Sequence, residues 1–358
     1  MSSMQRNPDN APLLRKSKAR RAELLLLLAI FVVHFSLSLA QQPLVIKLGT
    51  LAPRGSSYHQ VLLQMGEKWR KAPGGVSLTV YPDGAMGGEA ETVRRIRVGQ
   101  IQAGMLTVVG LTEIDPAVGA LQYMPMMFRS LDEVEYVRRK LQPELEKGML
   151  DKGFVVLFWG DAGWVRFFSK QPVIRPADLK KTKIWVWSGD TYAMAIYKHE
   201  GYQPVSLETA DILPGIQQGM ITTIPTAPFI ALAGQFFVMA PHMLELNWTP
   251  LVGGVVISKK AWSEIAPATR EIMRNAADEA GQQMRSQSRD ENTKAVEAMK
   301  KRGLIVHPVT PDIELEWRRA AQAAYPMIRG SLVPAKTFDQ VERLLAEYRA
   351  HPQPPTGL

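Results

Sequence analysis

Alternating strand-like and helix-like patterns open the main body of the chain. Three short apolar runs, typical of buried strands, are separated by two stretches whose apolar residues recur at helical spacing. The runs begin near Leu44, Val76 and Ile101, and the helical stretches are marked by Val61, Leu62, Met65 and Trp69 and by Val93, Ile96 and Val98. Strands that alternate with helices over short connections predict a parallel, doubly wound α/β sheet. Because ligands of such sheets bind beyond the carboxyl ends of the strands, the loop at residues 49–57 is a candidate binding loop.

The same kinds of pattern continue to residue 348. Further strands are predicted at 154–159, 165–169, 183–187, 251–258 and 304–306. Further helices are predicted at 131–147, 191–199, 210–218, 229–237, 267–302, 312–329 and 337–348. The proline-rich residues 349–358 are predicted to form a flexible tail.

The first 40 residues predict a secretory signal peptide. Basic residues at 15–21 precede an apolar run at 24–33, and small residues at 38–40 suit a cleavage site. The apolar run is too short to span a bilayer comfortably. An uncleaved anchor remains the alternative, because apolar residues at 35–39 lengthen the segment.

Composition narrows the classes of function. A chain of 358 residues with 46% hydrophobic content is long enough for two packed domains. It has no cysteine, which excludes disulfides, thiol nucleophiles and thiolate metal sites. Part of the net charge of +9 belongs to the first 40 residues, and the remaining charges are dispersed, so nucleic-acid binding is not supported.

No arrangement of residues predicts catalysis. The six histidines show no HExxH spacing, and the sequence has no GxSxG elbow. The glycines at 148–153 have the spacing of a phosphate loop, but Phe154 stands where lysine is required. The chain is therefore expected to be a binding protein, with no metal and no cofactor.

Five segments resemble, in order, the extracytoplasmic solute-binding subunit of a tripartite ATP-independent periplasmic (TRAP) transporter of the DctP type. They read KLGTLAPRGSSYHQ, VYPDGAMGGEAETVRRIRVGQIQAG, LQYMPMMFRS, GWVRFFSKQPVIRPADLKKTKIWV and VISKKAWSEIAPATREIM. The resemblance implies a two-domain periplasmic-binding-protein fold with doubly wound sheets, crossing hinge strands and long C-terminal helices. It also implies a periplasmic receptor, expected to be a monomer, that passes a small molecule to the permease subunits.

The resemblance further implies how the domains are divided. Residues 43–162 and 253–305 would form domain I, and residues 163–252 and 306–348 would form domain II with the spanning helices. The ligand would lie in the cleft between them.

Three positions depart from the family pattern. In members of the family, an arginine on the strand after the P-x-D-L-K loop forms a bidentate salt bridge with the ligand carboxylate; Trp185 stands there in this chain. A second arginine commonly follows G-x, where this chain has Val165, with Arg166 one place later. Because strand side chains alternate between faces, this offset should turn Arg166 away from the site. A β-bulge would turn its side chain back toward the site. Thr226 replaces the asparagine that commonly binds the ligand.

These departures predict a ligand that is neutral, apolar or aromatic, or cationic, rather than a simple carboxylate, because indole faces suit such groups. Trp185 would form a stacking wall and Arg166 would be the fallback partner for an anion. The candidate ligand-binding residues are Trp185, Thr226, Ser188, Thr107, Trp164, Val165, Arg166, Trp187 and Trp248.

Three alternatives stay open. The tryptophans could serve only the core, and Thr226 and Ser188 could merely end turns. An ordinary carboxylate receptor could use Arg166 or Lys183. A degenerate member of the family could act as a periplasmic interaction or sensing module that transports nothing.

Overall fold

The structure is a computed structural model that describes residues 44–351. The predicted signal peptide and residues 352–358 of the predicted tail lie outside the described residues. The strands are β1 (Leu44–Thr50), β2 (Val76–Tyr81), β3 (Ala103–Thr107), β4 (Phe154–Ser169), β5 (Lys183–Trp187), β6 (Gln203–Leu207), β7 (Thr223–Thr226), β8 (His242–Ser258) and β9 (Ile305–His307).

The α-helices lie between and after these strands. They are α1 (Ser57–Lys71), α2 (Glu89–Arg97), α3 (Val108–Thr112), α4 (Leu131–Asp151), α5 (Pro176–Leu179), α6 (Thr191–His199), α7 (Ile212–Gln217), α8 (Pro228–Ala233), α9 (Lys259–Glu264), α10 (Pro267–Lys300), α11 (Pro311–Ala323), α12 (Tyr325–Ser331) and α13 (Ala335–Ala350). Short 3-10 turns occupy Pro116–Leu121, Thr209–Asp211 and Phe236–Val238.

The described strands form one mixed sheet in the order β2-β1-β3-β8-β4-β7-β5-β6, with β9 beside β8. β1 is parallel to β2 and β3, and β5 is parallel to β6 and β7. The strands β1, β2 and β3 therefore form the parallel group that the strand–helix alternation predicted, and a second parallel group lies at the opposite end of the sheet. The long strands β4 and β8 run antiparallel to each other and connect the two groups.

Helices cover both faces and bury the predicted apolar positions. Val61, Leu62, Met65 and Trp69 of α1 are all buried, as expected. The prediction for Val98 was wrong: α2 ends at Arg97, and Val98 is the exposed residue that follows it. The long helix α10 packs against β4, α1 and α8, so it touches both ends of the sheet.

Several boundaries differ from the prediction for identifiable reasons. The two strands predicted at 154–159 and 165–169 are one strand, because a register shift between Asp161 and Trp164 absorbs the break. Gly163 has φ +81° there, a backbone conformation that glycine adopts readily. β6 and β7 were not predicted, since each contains a proline. The helix predicted at 229–237 ends at Ala233, and that predicted at 312–329 is two helices.

Candidate functional site

A cavity of about 140 Å³, the cleft cavity, lies between the two ends of the sheet. One wall is formed by the loop after β1 and by the end of β3, and the other by the end of β5, by the turn after β6 and by α8. The first wall includes Thr50, Leu51, Ala52, Pro53, Met105 and Thr107, and the second Trp187, Thr209, Phe229 and Ile230. The loop predicted to bind ligand therefore supplies one wall of this cavity.

Two aromatic contacts hold the walls in place. The ring of Tyr58 stacks on that of Phe229 with centroids 5.1 Å apart and an interplanar angle of 16°. The hydroxyl of Tyr58 donates to the carbonyl of Asp161 at 3.2 Å. The indole Nε1 of Trp187 donates to the hydroxyl of Thr209 at 3.1 Å. The Tyr58–Phe229 stack joins α1 to α8 and so bridges the cavity.

The charged residues that line the cleft cavity are acids. Glu89 accepts hydrogen bonds from the backbone N–H of Thr107 at 2.8 Å, the hydroxyl of Thr107 at 2.8 Å and the N–H of Gly110 at 2.7 Å. Burial raises the pKa of Glu89 despite these bonds. Burial likewise raises the pKa of Asp161, which accepts from the N–H of Gly163 and the hydroxyl of Ser288.

A second, smaller cavity of about 70 Å³, the inner cavity, lies on the far side of Trp187. Trp187 is common to the walls of both cavities. The inner cavity is also lined by Val165, Trp185 and Trp248 and by the buried acid Asp190. Four candidate residues from the sequence therefore meet around a carboxylate that was not among them.

A third cavity of about 340 Å³, the arginine cavity, lies between β4 and α10. It is lined by Trp164, Arg166, Arg289 and Asn292 among others. Arg166 lies 3.6 Å from Glu245 and its side chain is 18% exposed. Its buried Nε has no hydrogen-bond partner within the described part of the chain. Burial lowers the pKa of Arg166.

The bulge considered from the sequence is present near Arg166. After the shift between Asp161 and Trp164, Arg166 pairs directly with Thr226, so their side chains lie on one face. Trp185 packs in the cluster that includes Ile224, which is two residues before Thr226 and therefore on the same face. Val165 faces the other side and lines the inner cavity. Arg166 nevertheless opens into the arginine cavity rather than the cleft cavity.

The remaining candidate residues are mostly committed to internal contacts. Trp185 is 2% exposed, and its Nε1 donates to the carbonyl of Leu207 at 3.1 Å. Trp248 is buried and packs against Phe167 and Trp317. The hydroxyl of Thr107 donates to Glu89 and accepts from the N–H of Val109, which leaves one lone pair for a ligand.

Three residues lie away from the cleft cavity. Thr226 is buried, and its hydroxyl has no partner among residues 44–351. Ser188 is half-buried and lines none of the three cavities described above. Lys183 is exposed, and its ammonium donates to the carbonyl of Gly219 at 3.0 Å.

The sequence analysis missed the polar and aromatic groups that shape these cavities. Tyr58 and Phe229 stood in the patterns of helices and gave no separate signal. Asp190 comes directly before the helix predicted at 191–199, which is the position of an N-cap. Because capping explains an aspartate there, the sequence gave no reason to expect a second role. Glu89 lies just before the helical stretch marked by Val93 and Ile96 and gave no separate signal. In the part of the chain that the structure describes, no group of three or more His, Asp or Glu is arranged to hold a metal ion.

The comparison with known proteins decides the family. The model of the DctP family, described as bacterial extracellular solute-binding protein, family 7, matches residues 48–330. The chain belongs to the DctP family. Relatives include the 2,3-diketo-L-gulonate-binding periplasmic protein YiaO of Escherichia coli K12, 24% identical over 240 residues, or 66% of this chain and 72% of YiaO. The C4-dicarboxylate-binding periplasmic protein DctP of Rhodobacter capsulatus is 22% identical over 319 residues, or 86% and 92%.

Solved structures support the same fold. A TRAP periplasmic solute-binding protein from Shewanella oneidensis with bound succinate has a TM-score of 0.78 and 17% identity, covering 85% of this chain and 99% of the other. The two-domain periplasmic-binding fold expected from the sequence is thus confirmed. DctP-family proteins are periplasmic solute receptors and not enzymes. No helix within residues 44–351 has both the length and the apolar character needed to cross a membrane.

Proposed function

We propose that this DctP-family chain captures one small organic molecule in the cleft cavity and delivers it to the permease of a TRAP transporter, which an ion gradient drives. The two walls come from opposite ends of the sheet, so a ligand that touches both favours the closed state. In this proposal the walls belong to two domains, residues 43–162 with 253–305 and residues 163–252 with 306–348. The receptor would act as a monomer.

We infer that the ligand is neutral, apolar or aromatic, or cationic. The observation that carries this inference is the charge of the walls. Among the described residues, the charged groups that line the cleft and inner cavities are Glu89, Asp161 and Asp190, and no lysine or arginine lines either cavity. The charges of Arg285 and Arg289 on α10 favour the ionised form of Asp161. Neither arginine lines the cleft cavity or the inner cavity. A carboxylate enclosed beside these acids would lack a partner and would cost several kcal/mol to bury.

A carboxylate ligand is the second candidate, and two observations favour it. The solved relative from Shewanella oneidensis holds succinate, and both named relatives bind organic acids. Within residues 44–351, Arg166 is half-buried and has one distant carboxylate partner, Glu245, so an anion in the arginine cavity would satisfy it. Trp185 would then be a core residue with no role in binding.

One set of measurements separates these proposals. Native mass spectrometry of protein purified without refolding would reveal a retained ligand, and titration calorimetry would compare succinate and a sugar acid with 2-phenylethanol and 2-phenylethylamine. Arg166→Met removes the guanidinium and its charge but keeps an unbranched apolar side chain about as long as the aliphatic part of arginine. Arg175→Met is the matched control, because Arg175 is exposed and pairs with Asp312 and Glu316 outside all three cavities.

The outcomes differ clearly. Under the first proposal, a neutral or cationic probe binds, and Arg166→Met changes its affinity less than twofold. Under the second, an acid binds, and Arg166→Met weakens it at least tenfold, about 1.4 kcal/mol, whereas Arg175→Met does not. If no ligand is retained and no probe binds, both proposals fail, and a degenerate interaction or sensing module is the remaining alternative.

A further inference from the structure

The inner cavity encloses a carboxylate within a box of aromatic rings. Asp190 is 6% exposed. The aromatic residues Tyr123, Tyr197, Trp187 and Trp248 line the cavity around it. Trp185 also borders this cavity, but its ring packs with Ile224 on the opposite face of the sheet. Indole and phenol rings present negative faces that attract cations, and a buried carboxylate adds a full negative charge.

Asp190 has neutral hydrogen-bond partners and no cationic one within the described chain. Its Oδ1 accepts from the hydroxyl of Tyr123 at 2.9 Å and from the N–H of Ala193 at 2.9 Å. The ionisable groups that face this region are Tyr123, Tyr192 and Tyr197, with Glu89 of α2 as a further negative charge. None of these groups can neutralise the carboxylate.

Capping alone does not account for this arrangement. Asp190 is the N-cap of α6. Asparagine and serine cap a helix about as well as aspartate and carry no charge. An enclosed carboxylate without a counter-charge is costly in a folded protein, and such groups concentrate at functional sites.

We propose that the inner cavity binds the ammonium head group of a solute whose apolar body lies in the cleft cavity, with Trp187 as the shared wall. This inference rests on the proposed function as a solute receptor and names its ligand class as a small primary amine. The ammonium would donate to Asp190 and contact the aromatic faces.

Three probes that share one body and differ in head group test the inference. They are 2-phenylethylamine, 2-phenylethanol and 3-phenylpropionate, titrated calorimetrically into the full mature chain. At pH 7 the amine should bind at least tenfold more tightly than the alcohol, and the acid most weakly. Asp190→Asn should abolish the preference for the amine over the alcohol.

The matched control is Asp115→Asn. Asp115 is also a buried N-cap acid, but it lies on another element and pairs with Lys152 at 3.0 Å. This variant should keep the preference for the amine. Tyr123→Phe, which removes the neutral donor to Asp190, should keep or strengthen it.

The pH dependence of the affinity for the amine gives a second test. Because burial raises the pKa of Asp190 to about 6, most of the carboxylate is neutral at pH 5. The affinity for the amine should fall about tenfold between pH 7 and pH 5 in the wild type but not in Asp190→Asn. The affinity for the alcohol should not change in this range.

Two results would overturn the inference. Equal affinities for amine and alcohol would do so, as would a preference for the amine that survives in Asp190→Asn. In either case, a retained ligand or an acid bound through Arg166 would still support the receptor function. If no probe binds and no molecule co-purifies, both this inference and the proposed receptor function fail.

Discussion

Asp190 is an ionisable residue that the fold holds in an unfavourable state. Burial raises its pKa from 3.8 to about 6, so the native protein binds this proton more tightly than the unfolded chain does. Between these pH values the native state carries more protons. Stability should therefore decrease as pH rises from about 4 to about 6 and change little from this group above that. A shift of about two pKa units corresponds to roughly 3 kcal/mol.

The variant Asp190→Asn should remove this dependence on pH while keeping the helix cap. We expect its free energy of unfolding to exceed that of the wild type by up to about 3 kcal/mol at pH 7 and to match it near pH 4. Urea denaturation at pH 4, 5, 6 and 7 measures the difference. Ser130→Ala, which removes the N-cap of α4, should instead cost about 1 kcal/mol at every pH. If the free energies of unfolding of Asp190→Asn and the wild type differ by the same amount at every pH, the prediction is contradicted.

Single residues also show the limit of prediction from sequence. The tryptophan at position 185 was evident, but its burial and its bond to Leu207 depend on the register of β5 with its neighbours. The position of Arg166 depends on a bulge that alternation alone could not decide. Whether these residues contact the ligand stays a prediction.

At the scale of elements, α10 packs so closely on the sheet that a glycine is required. A Cβ added to Gly281 would lie 2.9 Å from the Cβ of Phe158 on β4. Alanine favours helix by about 1 kcal/mol over glycine, but crowding of this kind commonly costs 1–3 kcal/mol. The close approach should outweigh the helix propensity.

The variant Gly281→Ala should therefore destabilise the protein by up to about 2 kcal/mol. Thermal and urea denaturation both measure this change. Gln282→Ala is the control, because residue 282 is exposed on the same helix and should shift stability by less than about 0.5 kcal/mol. A gain in stability for Gly281→Ala would show that Phe158 moves aside without cost.

Elements with strong periodic patterns were predicted well, and short ones were not. The helix at 191–199 and the strand at 183–187 have the predicted bounds. β7 has only four residues, including Pro225, and it exists because β4 and β5 flank it. Pairing with neighbours that are distant in sequence is not encoded in a local pattern.

At the scale of the whole molecule, the Tyr58–Phe229 stack bridges the two walls of the cleft cavity. An aromatic pair contributes about 0.5–1.5 kcal/mol beyond its buried area. Phe229→Ala should therefore shift the receptor toward an open form and weaken ligand binding by roughly twofold to tenfold. Small-angle X-ray scattering should show a larger radius of gyration for this variant without ligand.

The variant Tyr58→Phe provides the control for this prediction. It keeps the stacked ring and loses only the hydroxyl bond to the carbonyl of Asp161. Its scattering should resemble that of the wild type. An unchanged radius of gyration in Phe229→Ala would show that the stack does not control closure.

The overall fold was predictable because a colinear set of segments resembled one family. The cavities were not predictable from the sequence. The walls of the cleft cavity come from the loop at residues 50–53, from Thr107, and from Trp187, Thr209 and Phe229. These segments are far apart in sequence, and only the crossing strands bring them together.

The helix α10 has one further consequence. It has 34 residues, which gives a rod about 50 Å long, and it rests on both α1 and α8. When the walls separate, a single rod cannot keep its seating on both supports, so it must flex or slide. Opening and closing of the cleft cavity should therefore be accompanied by bending or sliding of α10.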